Sequence, residues 1–185
     1  MTTPFRNVTP NGGGAATLLL VLSFTGFLLI TQALFVVPAG QVGVVTTLGK
    51  VSGGSRRPGL NVKIPFIQDV FRFDVRTQVR PEKFETLTKD LQVIAATATV
   101  KYAVRPTEAG RIYSTIAYND RDIYPRIIQP SLLKALKSVF SKYELVTIAS
   151  KWSDISELVE QTVAEELDKF DYVDVRGLDL TGLEI

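Results

Sequence analysis

The sequence predicts an α+β protein: a single N-terminal transmembrane helix, then a domain of antiparallel β meander and helices, closed by a strand at the C-terminus. Three observations carry this. Ala15 to Val37 run for 23 residues without a charge. Apolar residues recur at every second position from Phe71 to Val79 and again within Leu91–Val104. From Pro106 to Phe170 the spacing lengthens to threes and fours, before alternation returns at Tyr172.

The apolar run, AATLLLVLSFTGFLLITQALFVV, would span about 34 Å as a helix, enough for a hydrocarbon core of about 30 Å. A cleaved signal peptide fits less well. Arg6 is the only basic residue upstream, the apolar core is too long, and Val37-Pro38-Ala39 is a poor cleavage site. The run holds no GxxxG pairing motif and no ionisable residue of an ion path. Residues 1–14, with Pro4, Pro10 and Gly12-Gly13-Gly14, read as a flexible tail.

Residues 38–105 read as a β-rich lobe. Gln41–Leu48 is β-branched and stops at Gly49, and Gly53-Gly54-Ser55 and Pro58-Gly59 mark turns before a short strand at Leu60–Pro65. Phe71, Phe73, Val75, Thr77 and Val79 alternate with Arg72, Asp74, Arg76, Gln78 and Arg80, which predicts one half-buried strand over 71–80. Thr86–Asp90 supplies a turn. Leu91–Val104 is the next strand, with Ile94, Ala96, Ala98, Val100, Tyr102 and Val104 inward. The links are too short for crossover helices, so the strands pair antiparallel.

Residues 106–185 read as a helical lobe with a final strand. Pro106 opens a short helix to Ile116. Pro125 and Pro130 divide the pattern from Asp120 to Tyr143 into a lead and a main helix from about Ser131. A second helix is expected over Asp154–Phe170, with Ile155, Leu158, Val159, Val163, Leu167 and Phe170 inward and Asp154/Glu157 as its cap. In Tyr172–Ile185 the alternation slips at Gly177 and Gly182, which predicts bulges there.

Composition excludes much chemistry. The chain has no Cys, no His and one Met, so thiolate nucleophiles, imidazole bases and Cys/His zinc sites are ruled out. Lys134 and Ser138 share a helix face, but such spacing is common on solvated helices, and no phosphate-binding loop is present. The reading is a non-enzyme without cofactor or metal.

The net charge of +2 hides an asymmetry. Every charge before Asp69 is positive, whereas from Asp69 on 16 basic residues face 19 acidic ones. Lys50, Arg56, Arg57 and Lys63 are therefore candidates for headgroup contact, at about 1 kcal/mol each on anionic lipid. They do not interleave with aromatics, which argues against nucleic acid. The main helices also differ. One carries Arg126, Lys134, Lys137 and Lys142 without an acid; the other carries Glu157, Glu160, Glu165 and Glu166 among six acids. They are either two solvated faces or the two sides of a contact between neighbouring subunits, the kind that builds rings.

Seven motifs occur in order: VPAGQVGVV (37–45), PGLNVKIPFIQ (58–68), FDVRTQ (73–78), TKDLQ (88–92), RIYSTI (111–116), YPRIIQPSLLKALKSV (124–139) and VDVRGLDLTGLEI (173–185). Together they resemble the SPFH (band 7) superfamily, and within it the prohibitins. Two departures stand out. Ala149-Ser150-Lys151-Trp152 occupies the place of a Gln-Arg-Glu-like run, and the family's long coiled coil, expected after Ile185, is absent from this chain.

The resemblance implies a scaffold that assembles with itself into a large ring or cage around a bilayer patch, with membrane lipids and an FtsH-type membrane-bound AAA+ protease as partners. It implies a bacterial-type inner membrane, thylakoid or mitochondrial inner membrane. The alternative is a stomatin-like regulator or adaptor of a membrane protease or channel without a closed cage. For topology, Arg6 against Lys50, Arg56 and Arg57 favours a cytoplasmic domain, whereas the resemblance implies the opposite side.

Overall fold

The computed structural model describes residues 13–184, so nearly all of the expected 1–14 tail lies outside the described residues. Helix α1 covers Gly13–Ala33, and its apolar window Ala16–Ala33 is wholly unburied by the rest of the chain. The helix ends four residues before the expected Val37. Leu34–Val37 is instead strand β1, paired antiparallel with β4 (Gly59–Val62). Pro38 contributes at the end of this strand, because the residue before a proline, here Val37, is pushed into extended geometry. The amide of Lys63 donates to the carbonyl of Ala33 at 2.8 Å, meeting an acceptor that the helix end leaves open.

Strand β2 (Gln41–Thr47) is flanked by β3 (Lys50–Val51) and β5 (Gln68–Asp74). A second sheet has the order β6 (Gln78–Leu87), β7 (Val93–Val104), β8 (Val173–Glu184), all antiparallel neighbours. The alternating run 71–80, expected as one strand, is therefore two strands of different sheets. The chain bends at Val75–Thr77, where the Val75 amide donates to Gly40 O at 3.0 Å and Arg76 folds back on Asp74. Gly40 permits this approach: its φ is 80°, and a Cβ there would lie 2.7 Å from Arg76 Cδ.

Short helix α2 (Ala109–Thr115) follows a 3-10 turn begun by Pro106. Tyr124–Ile128 forms a π-helical turn that runs straight into α3 (Gln129–Phe140), with Pro130 in its first turn. A short helix that the periodicity did not predict, α4 (Leu145–Ser150), precedes α5 (Trp152–Asp168). Asp154 lies inside the first turn of α5 instead of capping it, and Phe170 lies beyond its end, exposed. The divergent 149–152 stretch thus forms the α4–α5 corner.

One core joins the two larger sheets and the helices, and leaves the β1–β4 ribbon outside it. Ile94, Ala96, Ala98, Val100 and Tyr102 of β7 face Leu132, Leu136 and Phe140 of α3 and Val159, Val163 and Leu167 of α5, all buried. Phe140 sits between Phe84 and Trp152, with ring centroids at 5.7 and 6.3 Å. The third strand of the second sheet comes from the C-terminal segment, so the core runs across residue 105 without a break. The β7–β8 register shifts fall opposite Gly177 and Gly182, where the sequence places bulges.

Candidate functional site

Two surfaces concern function, one beside the anchor and one on the helices. At the first, Leu34 pairs with Val62 and Val36 with Leu60, so all four project from the same face of the β1–β4 ribbon, and all four are exposed. The ribbon is tied to the end of α1 by the Lys63–Ala33 hydrogen bond. Beyond Lys63 the chain turns through exposed Ile64, Phe66 and Ile67. Gln68 braces this turn, its Oε1 accepting from the Ile64 amide at 2.7 Å and its Nε2 donating to Thr47 Oγ1 at 3.1 Å. The Leu48 amide donates to Ile67 O at 3.0 Å, which brings the exposed Leu48 of the β2–β3 tip alongside. Leu48 and Phe66 hold φ of 50° and 68°, a left-handed geometry unusual for large apolar side chains presented to water.

The four predicted headgroup residues occupy this same lobe. Lys63 is half-buried at the α1 end of the ribbon, exposed Arg56 and Arg57 precede its far end, and exposed Lys50 begins β3. They lie along the lobe, not in one cluster. Among the described residues, none of the four has a carboxylate partner.

On the second surface some of the candidate contact charges have partners within the chain. Lys134 Nζ lies 2.8 Å from Glu166 Oε2 of the same chain, and Lys169 bonds the other oxygen. Lys134, then Lys169, hold the Glu166 carboxyl below its ordinary value. Arg126 donates to Ile116 O at 2.7 Å. Arg126, Lys134 and Glu166 are thus engaged within the subunit, because α3 and α5 pack side by side. Lys137, Lys142, Glu157, Glu160 and Glu165 have no ion-pair partner among the described residues. Lys137 and Ser138 of α3, with Ser141 just past its end, border an open groove of about 720 Å³ with Glu85, Thr86, Leu87 and Val93.

Two polar hubs escaped the sequence reading. Arg105, at the end of β7, forks onto Asp168 at 2.9 Å, Asp174 at 2.6 Å and Asp171, pinning the α5–β8 turn. Arg111 lies 5.0 Å from the Tyr172 ring centre and bonds Glu108, extending the cluster. Glu82 accepts from the Tyr124 hydroxyl at 2.8 Å and from Gln129 at 2.9 Å, which secures the π turn to β6. Burial first, then Glu82, raise the Tyr124 hydroxyl far above its ordinary value. The spacing of Asp168, Asp171 and Asp174 was the only signal available, and it names no partner. No group of three or more Asp and Glu among the described residues is placed to hold a metal ion.

Comparison with known proteins agrees with this architecture. Residues 35–184 match the model of the SPFH domain / Band 7 family. Prohibitin-2 of Saccharomyces cerevisiae is 29% identical over 166 residues, covering 88% of this chain and 52% of that protein. Prohibitin 1 of Drosophila melanogaster is 33% identical over 110 residues, covering 59% and 37%. Protein HflC of Borreliella burgdorferi is 25% identical over 142 residues, covering 72% and 43%. The chain spans about half the length of these three relatives, or less. With a family match running from the ribbon strand to the closing strand, and the α+β fold in place behind an apolar helix, the chain belongs to the SPFH domain / Band 7 family.

Proposed function

We propose that the protein is a non-enzymatic, prohibitin-like membrane scaffold, which assembles with itself into a large ring or cage around a bilayer patch. It organises or regulates membrane proteins there, an FtsH-type AAA+ protease among them. The observation that carries the reading is the apolar face of the β1–β4 ribbon, hydrogen-bonded to the end of an 18-residue apolar window. Four exposed aliphatic side chains beside an anchor are costly in water and stable in a leaflet. The ribbon's neighbours Lys50, Arg56, Arg57 and Lys63 then lie at headgroup level, where unpaired cations meet lipid phosphate. Expected residence is a bacterial-type inner membrane, thylakoid or mitochondrial inner membrane.

In this reading one helix per subunit crosses the bilayer, the lobe is seated in the interface, and lateral contacts join neighbours. Many linked anchors retain the assembly even when each is weak. Helix α1 is the span, and the domain begins with β1. Mass measurement of the full-length protein in mild detergent tests the proposal: a large oligomer is expected, and a stable monomer or dimer would refute it. Co-purification of a protease by a non-assembling variant as well as by the parent would favour the adaptor reading.

A further inference from the structure

We infer that the groove between α3 and the β6–β7 turn is the socket for a second copy of this chain, filled by the acidic outer stripe of the neighbour's α5. The inference rests on the scaffold reading and deepens it. The socket has an apolar floor. Leu87 and Val93 are the last cross-strand pair of β6 and β7, and both are exposed. Leu91 stands out from the turn with a φ of 61°, and exposed Val146 of α4 is tied to the same turn through the Leu145 amide on Asp90 Oδ1, at 3.2 Å. This patch lies at the far end of β6 from the strand end that follows the anchor-proximal lobe, so the ribbon's membrane contact does not account for it. Lys137 of α3 lines the groove, and Lys142 follows the lining residue Ser141 just past the helix end; both are exposed and have no ion-pair partner among the described residues. Glu85 also lines the groove, and Lys89 and Glu144 neutralise each other at 3.7 Å.

The complement is on the same molecule, on the other flank. Asp154, Glu157, Gln161 and Glu165 are exposed at spacings of three and four, hence in one line along α5, with half-buried Leu158 in the same row. None of the three acids has a cation partner among the described residues. Helix α3 packs on β6 and α5 on β8, and these strands are opposite edges of the sheet. A subunit therefore cannot fill its own socket. Socket and stripe are different surfaces, so their contact is head-to-tail and passes from copy to copy, as a ring requires. Opposite charge at the rim sets partner and register, and the apolar floor supplies buried area.

Residues 1–185 hold no cysteine, so introduced thiols report on chosen positions in native membranes, with any cysteine elsewhere in the full-length protein replaced first. Ser138→Cys and Gln161→Cys in one chain should give a ladder of dimers, trimers and higher species with a short bis-maleimide. Each single variant alone should give none, and a mixture of the two should stop at dimers. Lys137→Glu with Lys142→Glu should lower ladder yield roughly tenfold, and adding Glu157→Lys with Glu165→Lys should restore it. Dimers from Ser138→Cys alone would mean two-fold packing and would overturn the inference, as would cross-linking of that residue only to a different protein. A large assembly without any ladder would overturn this interface while leaving the scaffold reading intact. Loss of the large assembly in the unmodified protein would remove both.

Discussion

The apolar ribbon makes a quantitative demand. Leu48 is 82% exposed, Leu60 69% and Val62 64%. Burying such a side chain completely is worth about 1.5–3 kcal/mol, so seating the exposed parts in a leaflet recovers about 1–2 kcal/mol each. Replacing all three by Asn therefore costs the seated state about 3–6 kcal/mol, and transfer of the amides out of water adds to it. A shift of about 5.5 kcal/mol converts a 99:1 equilibrium into 1:99. The change is consequently large enough to lift the lobe off the bilayer while α1 remains inserted. Phe66, exposed on the turn after the ribbon, is a suitable reporter position, and Phe66→Cys would be the chain's only thiol. An environment-sensitive fluorophore on it should be quenched by lipids brominated along their acyl chains. In the Leu48/Leu60/Val62→Asn variant the quenching should fall toward that of a water-exposed control. Absence of quenching in the parent, or equal quenching in the triple variant, would refute the argument that this face is lipid-immersed.

Other outcomes follow from the packing and the charge network. Phe140→Ala opens a hole between Phe84 and Trp152 and should cost about 3–5 kcal/mol in a urea titration in detergent. Arg105→Lys cannot reproduce a three-way fork onto Asp168, Asp171 and Asp174; the expected loss is about 1–2 kcal/mol, kept small by the exposure of those carboxylates. A loss no larger than that of an isolated surface lysine would show that the hub does not pin the α5–β8 turn. Asp74 is held below its ordinary value of 3.8 chiefly by Arg76, and Glu166 below 4.5 chiefly by Lys134. Carboxyls depressed in the folded state stabilise it above their unfolded values, and that contribution is lost as pH falls through the folded values. The unfolding midpoint should accordingly hold from neutral pH down to the ordinary carboxyl range and drop below it. Glu166→Gln should flatten that acid limb, and an unaltered limb would contradict the assignment. Gly40→Ala should destabilise, since the left-handed φ and Arg76 Cδ both oppose a Cβ.

Much of the fold was legible because burial imposes a period. The inward set of β7 and the helical lobe's main faces follow directly from alternation and from three-and-four spacing. The bulges at Gly177 and Gly182 were visible as slips in phase. The run 71–80 was misleading for the same reason. Period two marks a half-buried extended chain, and it persists across Val75–Thr77 although β5 and β6 join different sheets. Helix α4 is only six residues long, too short for a periodicity to declare itself.

The candidate surfaces divided along similar lines. Residue order and composition alone determined that the chain carries an apolar run long enough to span, that every charge before Asp69 is positive, and that Cys and His chemistry is excluded from these residues. These are properties of the residues themselves and need no partner. Tertiary structure decided where the span stops, which apolar residues remain uncovered, and which charges are already satisfied. Lys134 meets Glu166 across 32 residues of chain, and Arg105 meets its three aspartates across 63 to 69. A local pattern records which side of an element faces water; only the packing of distant elements determines what stands opposite it.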